Sequence, residues 1–208
     1  ASAIAARLLA RPDSHTLLIC GCGEQGRAHV EAMRDVLPID RCLLWDIDPA
    51  RAGRMAAELE PAHNATAVRE LEHAAGSADI IATCTPAREP IVDLPLVRPG
   101  TFIAAVGADN PDKNEITPRL MAAATSVTDV TAQCAEMGDL HHAIEAGVMR
   151  ATDVQGGLAE LVAGRLAGRT SDSERWVFDS TGLAIQDLAA AGMIYERARA
   201  AGGVPQIL

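Results

Sequence analysis

Aromatic residues are scarce in this sequence, and lysine is almost absent. Phe, Trp and Tyr make up 2% of the 208 residues, although hydrophobic residues make up 49%. A core must therefore consist mainly of Ala, Val, Leu and Ile, which favours helices packed closely on a sheet. Lys113 is the only lysine, and the formal net charge is −10 at pH 7. We expect no nucleic-acid partner, because nucleic-acid binders usually present a basic face.

The sequence also lacks any run of the roughly 20 apolar residues that a membrane-spanning helix needs. No cleavage pattern follows the first ten residues, so we expect neither a membrane segment nor a signal peptide. The five cysteines are odd in number and lie in apolar contexts, which predicts free thiols in the reducing cytoplasm. Cys20 and Cys22 are too close together for a zinc pair, and no matching His/Cys pair follows, so we expect no metal site.

Strand-like and helix-like segments alternate along most of the chain. Short apolar runs lie at 16–20, 43–47, 65–68, 80–84, 101–106 and 126–130, with helical patterns between them. This alternation predicts an α/β fold of the Rossmann type, a doubly wound and mostly parallel sheet with helices on both faces. We also expect Trp176, Phe178 and Tyr195 to lie in the core.

Three regions follow from this pattern. We predict a connecting helix within 1–14 and a dinucleotide-binding domain over 15–150. Over 151–208 we predict a helix at 158–166, a short strand at 176–178 and a long helix at 183–201 that return to a second domain.

A glycine motif follows the first predicted strand directly. Gly21, Gly23 and Gly26 form the pattern Gly-x-Gly-x-x-Gly, with Glu24 and Gln25 between the last two. The first glycine allows a tight turn, the second lets the backbone approach a pyrophosphate, and the third lets the helix pack on the sheet. The N–H groups at such a helix start attract an anion. The motif alone is also compatible with a turn that binds nothing.

Asp46 ends the second predicted strand, about 20 residues after the last glycine, where a ribose-binding acid belongs. A carboxylate there accepts hydrogen bonds from the adenosine ribose and repels a 2′-phosphate, which predicts NAD as the cofactor. Arg51 and Arg54 lie nearby and would favour NADP, but Asp46 occupies the deciding position. Asp46 could instead cap the next helix, although Asp48 before Pro49 suits that role better.

Stretches beyond the glycine motif are typical of one protein family. The stretches concerned are 21–29, 83–90, 106–115 and 178–187. On these residues the whole chain resembles the ornithine cyclodeaminase/mu-crystallin family, which includes a type of alanine dehydrogenase and several imine reductases. The last two stretches are specific, since a general Rossmann protein has no reason to show them. The C-terminal stretch most resembles the alanine dehydrogenase branch.

The resemblance implies Asp109 and Lys113 as catalytic residues. In the family, the aspartate matching Asp109 donates or accepts a proton beside the nicotinamide, and the lysine matching Lys113 orients it or reaches the cofactor. A carboxylate is a poor base near neutrality, so burial beside the nicotinamide would have to raise the pKa of Asp109. The alternatives are that Asp109 caps the turn before Pro111 and that Lys113 is a solvated surface residue.

The resemblance also implies cofactor contacts after the later strands. The implied cofactor-binding residues are Thr83, Thr85, Val106, Gly107, Ser180, Thr181 and Gly182. Thr85 would touch the nicotinamide ribose, and the turn at 180–182 would meet the nicotinamide amide. Each has a plainer interpretation, as a strand-end hydroxyl and as a helix cap. His141 and His142 match no catalytic residue of the family, so we expect them to be solvated. His29 lies on the helix after the glycine turn, where we expect it to pack.

Three functions are compatible with these expectations. We favour an NAD-dependent oxidoreductase that transfers a hydride at the α-carbon of a small amino acid or imine. The first alternative is an ammonia-lyase of the ornithine cyclodeaminase type, which uses NAD catalytically. The second is a non-catalytic dinucleotide-binding protein of the mu-crystallin type, and the presence of Asp109 and Asp46 counts against it.

Family members begin with a further domain that forms the dimer and supplies residues for the substrate carboxylate. This chain begins at the helix that would follow such a domain, so we expect that domain to be absent from the 208 residues. The resemblance therefore implies a homodimer for the full-length protein. A fragment of this kind would bind NAD(H) but turn over little substrate.

Overall fold

The computed structural model describes residues 1–59 and 63–203. Its strands are Thr16–Cys20 (β1), Arg41–Trp45 (β2), Ala65–Ala67 (β3), Ile80–Thr83 (β4), Phe102–Ala105 (β5), Thr125–Thr128 (β6), Gly156–Gly157 (β7) and Trp176–Asp179 (β8). Within the described residues they form one eight-stranded sheet in the order β3-β2-β1-β4-β5-β8-β6-β7. Every neighbouring pair is parallel, which confirms the predicted α/β fold.

Helices cover both faces of this sheet. The helices are Ser2–Leu9 (α1), Glu24–Arg34 (α2), Pro49–Leu59 (α3), Leu71–Ser77 (α4), Pro118–Ala123 (α5), Thr131–Met137 (α6), Asp139–Glu145 (α7), Leu158–Val162 (α8) and Ala184–Ala200 (α9). The last of them, α9, has no buried residue and contributes nothing to either face of the core. Short 3₁₀ turns lie at Leu94–Leu96 and Ala151–Asp153. None of the helices in the described part of the chain combines the length and apolar character that crossing a membrane requires.

The pleat of β1 shows how the two faces of the core are divided. Leu17 and Ile19 point to the face covered by α1, α2 and α3. Leu18 and Cys20 point to the opposite face, which α4, α5, α6 and α7 cover. Alternate residues of a strand face opposite sides of its sheet, so a strand buried on both faces is apolar throughout.

Several sequence-based bounds need correction. The strand predicted at 43–47 is Arg41–Trp45, and Ile47 lies beyond its end with 89% of its surface exposed. The helix predicted at 158–166 ends at Val162. Tyr195 is wrong as a core residue, because half of its surface is exposed on α9, whereas Trp176 and Phe178 are buried.

The strand order creates a crevice at the carboxyl edge of the sheet. β1 pairs with β2 on one side and with β4 on the other. From β1 the chain therefore continues to one side through β2 and β3, and then returns past β1 to form β4 on the other side. Open α/β sheets bind ligands at this kind of switch point. β8 comes late in the sequence but pairs between β5 and β6. The division of the chain at residue 150 stays a prediction.

A buried carboxylate fastens the opposite, amino-terminal edge. Asp79 is 6% exposed, and its Oδ2 accepts hydrogen bonds from the N–H groups of His15 at 3.0 Å and Thr16 at 2.9 Å. Its Oδ1 accepts from the guanidinium of Arg11 at 2.5 Å and also from that of Arg98. One side chain therefore ties the start of β4 to the start of β1.

We predict that Asp79→Ala lowers the free energy of unfolding by roughly 3 kcal/mol, because it leaves two partly buried guanidinium groups and two N–H groups without their acceptor. Urea unfolding followed by circular dichroism measures this change. The matched control is Asp13→Ala, since Asp13 also pairs with Arg11 but 78% of its side chain is exposed. The control should change stability by less than about 0.5 kcal/mol; equal losses in both variants would contradict the assignment.

Candidate active site

The crevice at the carboxyl edge contains two adjoining cavities. The larger has a volume of about 720 Å³ and is bordered by the residues that follow β4, β5 and β8; we call it the large cavity. The smaller has a volume of about 330 Å³ and is bordered by the glycine turn and the end of β2; we call it the turn cavity. Thr85 and Pro86 line both, so the two cavities meet at the end of β4.

Most of the residues predicted for the site line one of these cavities. The large cavity is lined by Gln25, Thr85, Val106, Gly107, Asp109, Lys113, Ser180, Thr181 and Gly182. The turn cavity is lined by Gly21, Gly23 and Asp46. Glu24 lies in a separate recess of about 170 Å³ beside the glycine turn. Thr83 and Gly26 are buried and line neither of the two main cavities.

The glycine turn has the geometry that the motif predicts. Gly21 has a φ of +100°, and a side chain there would lie 2.6 Å from the carbonyl oxygen of Cys84. A side chain on Gly26 would lie 2.1 Å from the carbonyl oxygen of Gly21, so α2 can pack this closely only with glycine. Gly23 has open space instead, and no side chain caps the N-terminus of the 11-residue α2. The turn therefore offers free N–H groups to an anion.

Asp46 braces this turn from the end of β2. It is 8% exposed, and its Oδ2 accepts a hydrogen bond from the N–H of Cys22 at 2.8 Å. Its Oδ1 accepts from the N–H of Asp48 at 2.9 Å. Each carboxylate oxygen has a further lone pair that can accept from a ribose hydroxyl. The helix-capping alternative belongs to Asp48, whose Oδ1 accepts from the N–H of Ala50 at 3.0 Å.

Asp109 and Lys113 form an ion pair at the mouth of the large cavity. The Lys113 Nζ donates to the Asp109 Oδ1 at 2.7 Å, and the side-chain amide of Asn110 donates to the same oxygen at 3.0 Å. Lys113 is not a solvated lysine, since 23% of its side chain is exposed. Asp109 differs from our expectation of a buried base, because 56% of its side chain is exposed.

The turn after β8 is held by two residues that the sequence analysis did not identify. The Asp129 Oδ2 accepts hydrogen bonds at 2.9 Å from the Ser180 hydroxyl and from the N–H of Gly182. The Gln133 side-chain amide donates at 2.8 Å to the Thr181 hydroxyl and to the carbonyl of Gly182. These contacts fix the conformation of the turn.

Glu115 is a buried residue of the site that the sequence analysis also left without a role. Its carboxylate is 0% exposed and accepts hydrogen bonds from the hydroxyls of Thr83 and Thr85 and from the N–H groups of Thr85 and Gly107. Burial raises the pKa of Glu115, and these hydrogen bonds oppose the rise. The only available signal was its place in the 106–115 stretch, two residues after Lys113.

Two further carboxylates lie beneath Glu115. The Asp139 Oδ1 accepts from the N–H groups of Glu115 at 2.8 Å and Ile116 at 3.1 Å, and its Oδ2 is buried without a hydrogen-bond partner. Asp179 accepts from the N–H groups of Leu140 at 2.9 Å and Asp139 at 3.3 Å. Burial raises the pKa of Asp139 well above its usual range, with Asp179 and Glu115 adding to the rise. Burial likewise raises the pKa of Asp179 to about 7.

The histidines depart from the expected roles. His29 lines the large cavity, with Nδ1 at 2.7 Å from the carbonyl of Gln25 and Nε2 at 2.9 Å from the Ser2 hydroxyl. His141 and His142 are not solvated, since 20% and 18% of their side chains are exposed. His142 Nε2 lies 2.8 Å from the carbonyl of Lys113. The expectation that the site holds no metal stays a prediction.

A model of the ornithine cyclodeaminase/mu-crystallin family matches residues 1–202. The chain belongs to this family. It is 37% identical over 198 residues to an alanine dehydrogenase of Archaeoglobus fulgidus, covering 95% of this chain and 61% of that protein. It is 34% identical over 210 residues to an iminosuccinate reductase of Paracoccus denitrificans, covering 100% of this chain and 64% of that protein. The chain thus spans about three-fifths of the length of these relatives.

Solved structures of family members have the same fold. An archaeal alanine dehydrogenase dimer with bound NAD superimposes with a TM-score of 0.93 at 36% identity, covering 99% of this chain and 64% of that chain. The Δ1-pyrroline-2-carboxylate reductase of Thermococcus litoralis, in complex with NADH and L-proline, superimposes with a TM-score of 0.95 at 32% identity. It covers 99% of this chain and 65% of that one. The family and the Rossmann fold predicted from the sequence are therefore confirmed.

We predict that Asp139→Asn stabilises this family member increasingly as pH rises. The side-chain carbonyl of the new asparagine can keep the two N–H bonds, and its neutral amide replaces the unpartnered oxygen. An acid whose pKa is raised on folding binds its proton more tightly when folded. The contribution of Asp139 to wild-type stability is therefore largest below about pH 4 and is lost as pH rises through the raised pKa.

Because asparagine does not titrate, the stability of Asp139→Asn relative to wild type should improve by at least about 1 kcal/mol between pH 4 and pH 8. Urea unfolding across this range measures it. Asp112→Asn, at an exposed carboxylate, is the control and should differ from wild type by less than about 0.5 kcal/mol at each pH. A pH-independent difference for Asp139→Asn would contradict the prediction.

Proposed function

We propose that this chain is the NAD(H)-binding part of an oxidoreductase that transfers a hydride at the α-carbon of a small amino acid or imine. The observation that carries the proposal is the junction of the two cavities at Thr85. One cavity has the features of an adenosine and pyrophosphate site, and the other ends on the Asp109–Lys113 pair. A dinucleotide that spans both would bring its nicotinamide to that pair.

The residues present fit NAD on two separate features. The open space over Gly23 and the uncapped start of α2 suit a pyrophosphate. Asp46 suits the adenosine ribose and disfavours a 2′-phosphate. Solved structures of three relatives also hold NAD⁺ or NADH. When bound, this cofactor would supply or accept the hydride.

The Asp109–Lys113 pair suits the proton transfer that accompanies the hydride. An amino acid must lose an ammonium proton before a hydride can leave its α-carbon, and an imine must be protonated before it accepts one. The Asp109 carboxylate is open to the large cavity and can exchange that proton. Lys113 holds one carboxylate oxygen in place at 2.7 Å, which leaves the other oxygen free to face the substrate.

Helix α9 supports the proposal that residues 151–208 return to a second domain. It has no buried residue among Ala184–Ala200, and Ile185 and Leu188 are 70% and 71% exposed. Exposed apolar side chains of this size need a covering surface. The archaeal relative is a dimer, and we propose a homodimer for the complete protein. The cysteines are free, which supports a cytoplasmic location.

The test uses the complete natural protein that contains this chain, with NAD⁺ and a panel of alanine, ornithine, lysine, arginine and aspartate. NADH absorbance and ammonia release are followed together, and the reverse reaction is tested with NADH and cyclic or open-chain imines. We expect one ammonia per NADH formed from an amino acid, or stoichiometric NADH consumption with a cyclic imine.

Variants connect this activity to the site. Asp109→Asn should lower turnover by about 100-fold or more, the usual contribution of a general acid or base. Asp112→Asn removes an exposed carboxylate of the same loop and should leave turnover within twofold. Release of ammonia without net formation of NADH would contradict the dehydrogenase proposal and indicate a cyclodeaminase. NAD binding without turnover on either panel would favour a non-catalytic role.

We predict that Asp46→Ser reverses the cofactor preference. Loss of the carboxylate should weaken NADH binding about tenfold, equivalent to about 1.4 kcal/mol for hydrogen bonds to a charged group. NADPH binding should tighten, because Arg51 lines the same cavity and could then pair with the 2′-phosphate. Fluorescence titration of both cofactors measures the ratio.

The double variant Asp46→Ser/Arg51→Ala is the control for this prediction. It should lose the gain in NADPH affinity while its NADH affinity stays that of Asp46→Ser. If the ratio of the NADH and NADPH affinities is unchanged in the single variant, Asp46 does not contact the adenosine ribose.

A further inference from the structure

Four hydrogen-bond donors from two strand ends converge on the carboxylate of Glu115. Its Oε1 accepts from the N–H of Thr85 at 2.6 Å and from the Thr85 hydroxyl at 2.7 Å. Its Oε2 accepts from the Thr83 hydroxyl at 2.6 Å and from the N–H of Gly107 at 2.7 Å. A carboxylate has about four lone-pair positions and no donor, so these contacts use its full capacity and join the end of β4 to the end of β5.

Two of these donors belong to Thr85, one of the residues at which the cavities meet. Thr85 lines both the large cavity and the turn cavity. Its hydroxyl hydrogen points to Glu115, and its oxygen already accepts from the N–H of Ala87 at 3.2 Å. The Thr85 hydroxyl can therefore offer a ligand only its remaining lone pair. It is set as a hydrogen-bond acceptor.

The other strand end leads directly to the ion pair. The carbonyl of Gly107 accepts from the N–H of Asp109 at 3.1 Å, so Glu115 holds the residue that begins this turn. A Cβ on Gly107 would lie 2.3 Å from the carbonyl oxygen of Thr85 and 2.5 Å from the Glu115 carboxylate. The two strand ends and the carboxylate are thus packed against one another without spare space.

We propose that Glu115 is a positioning residue that fixes Thr85 as a hydrogen-bond acceptor for the nicotinamide half of NAD(H). The inference rests on the NAD-binding part of the proposed function and not on its substrate. The group that Thr85 accepts from is a hydroxyl of the nicotinamide ribose, since Thr85 lies between the glycine turn and Asp109. Glu115 itself is buried and touches no ligand.

Glu115→Gln tests this, because glutamine has nearly the same shape but an amide NH₂ in place of one oxygen. In either orientation that NH₂ faces a backbone N–H, of Thr85 or of Gly107, which cannot turn away. We expect the Kd for NADH to rise about tenfold. The Kd for ADP should stay within twofold, because ADP has no nicotinamide half. Both constants are measured on this chain by calorimetric or fluorescence titration.

Two further variants separate positioning from general damage. Asp79→Asn alters another buried carboxylate that accepts two backbone N–H groups, at the opposite edge of the sheet and about 13 Å along β4 from Thr83. It should lower the melting temperature but leave the ratio of the NADH and ADP constants unchanged. Thr85→Val should raise the Kd for NADH about as much as Glu115→Gln does. Thr85→Ser, which keeps the hydroxyl, should retain most of the wild-type affinity for NADH.

The double variant Glu115→Gln/Thr85→Val gives the final check. If Glu115 acts through Thr85, the double variant should bind NADH no more weakly than Thr85→Val alone. The inference is overturned if folded Glu115→Gln keeps the wild-type ratio, if it loses NADH and ADP equally, or if the two losses add. Should Glu115→Gln fail to fold, equal NADH affinity of Thr85→Val and Thr85→Ser overturns it. A wild-type chain that binds neither nucleotide would instead refute NAD binding itself.

Discussion

Backbone N–H groups lose their ladder partners where the strands of a parallel sheet end, and in this chain buried carboxylates accept many of them. Glu115 accepts after β4 and β5, Asp179 accepts from the start of α7, and Asp129 accepts from the turn after β8. Each oxygen can join two segments because a carboxylate only accepts. The loops around the large cavity are thereby held by buried side chains, in addition to the backbone hydrogen bonds between the loops that follow β4 and β5.

Burying carboxylates to hold the loops has an electrostatic cost, because burial disfavours the charged form of each acid. Burial raises the pKa of Glu115, Asp139 and Asp179, so the folded chain opposes the ionisation of acids that hold its loops. The N–H groups and hydroxyls offset part of that cost at Glu115. At Asp139 the cost of burial is offset less completely, because its Oδ2 is buried without a hydrogen-bond partner. Local costs of this kind are typical beneath functional sites.

The parts of the molecule that sequence predicts well are those encoded locally. The glycine turn is encoded by Gly21, which has a positive φ, and by Gly26, where a side chain would clash with the carbonyl of Gly21. Asp46 follows from its spacing, and the α/β alternation follows from apolar runs. The identity of the cavity residues came from family stretches, and most of these residues do line the two cavities.

Features set by distant parts of the chain were beyond the sequence. Nothing local indicates that β8 lies between β5 and β6, and therefore nothing places Asp129 beneath the turn at Gly182. Glu115 looks like any acid in a loop until β4 and β5 surround it. Tyr195 lies in an apolar helical pattern. Whether such a residue is buried depends on what packs against α9, and the sequence of α9 alone does not indicate this.

The lack of space at Gly107 restricts evolution at this position. A Cβ there would lie 2.3 Å from the backbone carbonyl oxygen of Thr85 and 2.5 Å from the Glu115 carboxylate. A smaller residue at position 115 would leave the backbone obstruction in place, so it would not open position 107 to a side chain. In family members with this strand arrangement, glycine should persist at position 107, whatever substrate the enzyme has come to use.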